Sequence, residues 1–131
     1  MFDPNTPVAG RPVLVERCIR LVFWLAVAVV VFFALAPGGP AVSASMHDKV
    51  QHVVAFAGLG ALATWSRALP SMWLGLAFLV ALGGAIELLQ GVTPERTPSW
   101  SDFAADLVGL ALAYPIARLG VWGWALVRRT A

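Results

Sequence analysis

Four long, mostly apolar runs alternate with short polar stretches along this chain. Residues 21–36 are wholly apolar and stop at Pro37-Gly38-Gly39-Pro40. A second run, 50–66, is entered through Asp48-Lys49 and closed by Arg67. The third, 68–86, carries Pro70 near its start, where a proline fits the first turn of a helix. The fourth begins near Phe103 and reaches Arg118, or Val127 at its longest. Such runs approach the roughly 20 residues that take a helix across the hydrocarbon. A lone strand would leave its edge unpaired in lipid, so the pattern predicts helices throughout. The expected fold is all-α: a polytopic integral membrane protein, a bundle of four transmembrane helices.

Composition agrees. The chain has 131 residues, 60% hydrophobic and 12% charged, with a mean hydropathy of +0.80. A soluble domain of this length carries about a quarter of its residues charged. The sequence leaves room for one compact unit, read as a cytoplasmic N-terminal tail over 1–17 followed by a membrane domain over 18–131. A pI near 9.3 would suit nucleic acid, but the net charge is only +2 and the basic residues stand mostly singly at span ends, so no nucleic-acid partner is expected. Cys18 is the single cysteine, which excludes an intrachain disulfide.

Those basic residues set an orientation. With four spans, Arg11, Arg17, Arg20, Arg67, Arg118, Arg128 and Arg129 share one side, against Lys49 and Arg96 on the other. The bias predicts both termini in the cytoplasm of a bacterial inner-membrane protein, with the polar stretches outside. A rival pattern, basic residues before an apolar run and the small residues 41–45, resembles a cleaved secretory signal. The run is longer than a typical signal core and further spans follow, so it is read as a retained helix. Trp65, Trp73, Trp100 and Trp122 fall near predicted interfaces, as belt anchors do.

Away from the span ends, the ionisable residues concentrate in 46–52 and 87–106. Ionisable groups near lipid are costly and persist where they pair or serve a site. Asp48 and His52 are four apart and share a helix face that continues to Phe56 and Gly60. Glu87 and Gln90 are three apart at the outer end of the third run, and Asp102 and Asp106 are four apart with Gly109 deeper on the same face. Helices starting at Asp48 and Asp102 set His52 and Asp106 about 6 Å inside. Three helices can therefore present His52, Glu87 and Asp106 to a shared pocket. The loop between the last two runs has Ser99 or Ser101 to cap the fourth helix, and Arg96 as a countercharge or anion binder.

Together these residues resemble a family. Asp48-Lys49-x-x-His52, then Glu87-x-x-Gln90, then Arg96-x5-Asp102-x3-Asp106-x2-Gly109 is similar in order and spacing to the VanZ-like membrane proteins, over about residues 47–112. One departure is Asp106, where the family usually carries asparagine. The founding member is associated with resistance to the glycopeptide teicoplanin. The resemblance therefore implies a small multi-span protein at the cell envelope and brings no established reaction with it.

The expected function is binding or modification of an anionic ligand, lipid-linked or related to peptidoglycan. Glu87 and His52 are the candidate acid–base pair. Asp48, Lys49, Gln90, Arg96, Asp102 and Asp106 are candidate ligand contacts, Lys49 and Arg96 for the anion. The competing reading is a non-catalytic module that assists a partner, with pairs Asp48–Lys49, His52–Glu87 and Arg96–Asp102 knitting helices together. Metal binding by His52, Glu87, Asp102 and Asp106 is a lesser reading, because there is one well-placed histidine and no HxxxH or HExxH motif, and no cofactor is expected. Transport is disfavoured, since the inner halves of the spans lack polar groups. Expected partners are membrane lipids, a lipid-linked envelope ligand, and a second copy or another membrane protein.

The topology is testable. In a Cys18→Ser background, Thr93→Cys should react with a membrane-impermeant thiol reagent in intact cells. Labelling only after permeabilisation would reverse the orientation.

Overall fold

The computed structural model describes residues 13–36, 46–92 and 99–130. Among them the chain forms four α-helices and no strand: α1 (Val13–Leu35), α2 (Met46–Ser66), α3 (Met72–Gly91) and α4 (Trp100–Thr130). The first 12 residues of the expected tail, the small residues 41–45 and the loop 93–98 with Arg96 lie outside the described residues, as do the side chains of His47 and Asp48.

The helices run past the apolar runs because backbone hydrogen bonding does not stop where lipid contact does. α1 reaches back to Val13, through Arg17 and Arg20 and into the stretch read as tail. α3 behaves in the opposite way and starts late. Pro70 is not in its first turn but precedes the N-cap, Ser71, whose hydroxyl accepts the Leu74 amide at 3.2 Å. The turn before it is closed by Arg67, which takes a left-handed backbone (φ 49°), and by the Ser66 hydroxyl, which accepts the Ala68 amide at 3.1 Å.

Three helices are long and apolar enough to cross a membrane: Val13–Leu35, Met72–Gly91 and Trp100–Gly120, with hydropathies of 2.7, 2.0 and 1.3. α2 does not reach that level. Its first two turns hold His47, Asp48, Lys49, Gln51 and His52, and much of the rest is glycine and alanine.

Contacts give the directions. Trp24 meets Phe78, and Gln90 meets Ala34, so α1 and α3 run parallel. Lys49 meets Ser101 and Trp65 meets Ala117, so α2 and α4 also run parallel, matched end to end. Gly75 lies by Ala63, whereas Gly83 lies by Phe56 and Asp106, so α3 is antiparallel to both. The result is an up–down–up–down bundle. Arg17, Arg20, Arg67 and Arg118 collect at one end, and Lys49, His52, Glu87, Asp102 and Asp106 at the other.

Among the described residues the interface of α2 with α4 is the most extensive. It is close because its contacts are small. A Cβ on Gly109 would sit 2.5 Å from the Val53 carbonyl oxygen and 3.0 Å from the Ala57 amide nitrogen, and one on Gly60 would sit 2.5 Å from the Ala113 Cβ. Small residues that let helix backbones approach are a main source of helix association in lipid. At the far end the Trp65 ring covers Gly120 and its indole N–H donates to the Ala117 carbonyl at 2.9 Å. Trp65 is therefore a packing residue of this seam and not a belt anchor, whereas Trp73, Trp100 and Trp122 are 68%, 80% and 69% exposed. Phe23 and Val27 of α1 join Phe56, Leu59, Leu79 and Leu110 in the core, and the outer face of α1 is left apolar and exposed.

Gly109→Ala should lower the stability of the detergent-purified protein by about 1–3 kcal/mol, because the clash is with backbone. Gly58→Ala, whose new methyl group would meet nothing within 4 Å, should leave the thermal midpoint unchanged or slightly raised. Equal effects of the two would show that the seam does not depend on close approach.

Candidate functional site: a polar cluster where three helices end

The site occupies the first two turns of α2, the last turn of α3 and the first two turns of α4. Two helix N-termini face it, and their unsatisfied amides favour negative charge nearby. Asp102 sits in the first turn of α4. Ser99 holds the N-cap position: its carbonyl accepts the Asp102 and Phe103 amides at 2.9 and 3.2 Å. Its own amide donates to Glu87 Oε2 at 2.9 Å, which ties α3 to the start of α4. The Ser99 hydroxyl meets the Ser101 hydroxyl at 2.8 Å.

The seam of α2 with α4 decides the pairing. His52 Nδ1 lies 2.8 Å from Asp106 Oδ1. The Lys49 ammonium donates to Ser101 Oγ at 2.8 Å and lies 3.5 Å from Asp102 Oδ1. The pairs expected from the sequence are different. His52 hydrogen-bonds Asp106 and Lys49 pairs with Asp102, while the expected Asp48–Lys49 pair involves a side chain outside the described residues. Gln90 donates to the Ala34 carbonyl at 2.9 Å and so ties α3 to α1.

Burial is deep for so polar a group. Glu87 is 6% exposed, Asp102 8% and Asp106 1%, while the Lys49 side chain is one third exposed. Two carboxylate oxygens, Glu87 Oε1 and Asp106 Oδ2, are buried with no hydrogen-bond partner among the described residues. Asp106 Oδ2 faces Gly83, where a Cβ would approach it to 2.8 Å. Glycine at that position makes room for the carboxylate. Ligand atoms of His52, Glu87 and Asp102 all lie within 4.8 Å of one another.

The structure thus brings together His52, Glu87, Asp102 and Asp106, with Lys49 beside them. Gln90 is adjacent but turned to α1. Arg96 and the Asp48 side chain are outside the described residues. Sequence reasoning misses four participants: the Ser99 amide, the Ser101 hydroxyl, the Ala34 carbonyl and Gly83. Gly83 leaves a signal in the sequence as a small residue one turn below Glu87, and Ser99 and Ser101 stand out as cap candidates for α4, though not for these contacts.

The cross-helix pair His52–Asp106 should show a coupling of roughly 1 kcal/mol in a double-mutant cycle of thermal stability, close to the average of about 0.6 kcal/mol between membrane helices and below their maximum of about 1.7. Lys49–Asp102, more exposed, should couple less. Additive effects of His52→Ala and Asp106→Ala would remove the pair from the account of the site.

No protein-family model, curated protein or solved structure matches this chain. The resemblance to VanZ-like proteins therefore rests on its residue blocks alone.

Proposed function

We propose that this chain is a four-span protein of the bacterial cytoplasmic membrane, of VanZ-like type, whose polar cluster binds or modifies an anionic lipid-linked or peptidoglycan-related ligand of the cell envelope. Glu87 carries this reading. Its carboxylate is buried, one oxygen is held by the Ser99 amide, and the other has no partner among the described residues, beside the His52–Asp106 pair. A carboxylate retained only to join helices would have both oxygens satisfied, because a buried orphan is costly.

The place of α2 as the fourth span is supported by its packing. It lies parallel to α4 with matched ends, so a bilayer around Trp100–Gly120 holds α2 at the same depth. Alternating spans return both termini to one side, and the arginines at that end favour the cytoplasm. The cluster then opens outward, towards the compartment where envelope precursors are handled. In this reading Glu87 accepts or donates a proton, with His52 as its partner and Asp106 holding the imidazole. Lys49 and Arg96 meet the anion, with Asp48 at the same helix entrance. Asp102 orients Lys49, and Gln90 fixes α1 against the site. The teicoplanin association of the family's founding member is one form that such a role takes.

A second reading has its own support. Lys49–Asp102, His52–Asp106 and Glu87–Ser99 each join two segments, which is what a structural cluster in a partner-assisting module would do. Native mass spectrometry of the detergent-purified protein, wild type beside Glu87→Gln, separates the two. Retention of a lipid-linked species by the wild type alone is the expected result, together with failure of Glu87→Gln to complement a knockout's envelope phenotype. Full complementation by a folded and inserted Glu87→Gln protein would sink the proposal.

A further inference from the structure

Two features of the cluster are unexplained by anion binding. Counting its described members with the imidazole neutral and every carboxyl ionised, three carboxylates (Glu87, Asp102, Asp106) against one ammonium (Lys49) leave two negative charges in largely buried surroundings. Glu87 Oε1 and Asp106 Oδ2 also lack a hydrogen-bond partner among the described residues. A doubly charged cation would cancel the excess and give an orphaned oxygen a ligand.

Geometry favours a cation over scattered protons. His52, Glu87 and Asp102 come from three different helices, yet each offers a ligand atom within 4.8 Å of the other two. Ligands around one transition-metal ion at about 2.0–2.2 Å are separated by roughly 3–4.4 Å, so sub-ångström side-chain shifts close the set. Each of the three is also held from behind. Asp106 bonds His52 Nδ1, the Ser99 amide bonds Glu87 Oε2, and Lys49 with Ser101 flanks Asp102 Oδ1. A carboxylate behind a histidine is the recurrent outer support of metal sites: it fixes the tautomer and raises the basicity of the ring. Gly83 completes the arrangement by admitting that carboxylate between α3 and α4.

We propose that His52, Glu87 and Asp102 bind one divalent cation of the Mn2+ or Zn2+ class, with Asp106 orienting the imidazole from behind. One nitrogen and two carboxylate ligands from the protein leave coordination positions for water or for an anionic oxygen of a ligand. Cation binding itself does not depend on the proposed function. Only the further step, in which the metal bridges to a phosphate or carboxylate, rests on that reading.

The test uses the full chain in detergent, stripped of metal with a chelator and dialysed. Mn2+ binding is followed by loss of the free-ion electron paramagnetic resonance signal, and Zn2+ binding by calorimetry. The wild type should take up one equivalent and melt at a temperature that rises with cation concentration. Glu87→Gln and Asp102→Asn should each weaken binding more than 100-fold, and Asp106→Asn, which keeps an acceptor for the imidazole, about 10-fold. Lys49→Gln removes a competing positive charge and should tighten binding, so a gain is read even if a ligand variant fails to fold. No uptake by the wild type overturns the proposal. So does binding that Glu87→Gln, Asp102→Asn and Lys49→Gln all leave unchanged, since the ion would then sit elsewhere. A cation-free protein that still retains a lipid-linked species would leave the proposed function standing and remove only the metal.

Discussion

The close approach of α2 to α4 is the contact on which the other features depend. Gly109 brings the backbone of one helix against Val53 and Ala57 of the other, and Gly60 does the same against Ala113. A seam built from hydrogen atoms and methyls leaves little freedom to slide, so it fixes which residues lie opposite each other. Its register sets Lys49 on Ser101 and His52 on Asp106 at one end, and Trp65 on Ala117 at the other. A shift by one turn would break all three of these pairings at once. The polar site is thus a by-product of apolar close packing a turn or two deeper.

The same constraint explains why the polar groups gather at one end. Four alternating helices offer two ends, and a carboxylate is least costly where helix N-termini point at it and where neighbours can hydrogen-bond it. The N-termini of α2 and α4 meet that condition, and α3 delivers Glu87 to them. The opposite end carries arginines, whose long stems keep the charge in water while covering apolar surface. Between the ends the interior is Phe, Leu, Val, Gly and Ala.

Much of this is legible in the residues alone. The apolar runs mark all four helices, and the i, i+4 spacings mark the faces carrying His52 and Asp106. Spacing within one helix says nothing about register between helices. That is why the sequence offers Glu87 as readily as Asp106 for His52, and Asp48 as readily as Asp102 for Lys49. The seam glycines are visible, but which backbone they touch is not. Pro70 fits a first helical turn by residue type, although Ser71 after it is the stronger start signal, with a hydroxyl to hold the third amide beyond it. Tryptophan often marks an interface, and only the facing glycine shows Trp65 filling a gap instead. Ser99 is marked by its type as a cap, but it reaches Glu87 through its amide, a group every residue but proline has, so no sequence pattern marks that contact.

The parallel pairing of α2 with α4 has a consequence in time. During synthesis α2 is complete at Ser66, and Ser101, the first of its α4 partners, is made only after α3 and the following loop. At about 5–20 residues per second that interval lasts several seconds. The helix that is not among the three apolar enough to cross a membrane is therefore also the one that waits longest for the neighbour that shields its polar side. Until then its contacts within the chain are with α1 and the emerging α3, and its polar first turns wait for Ser101, Asp102 and Asp106.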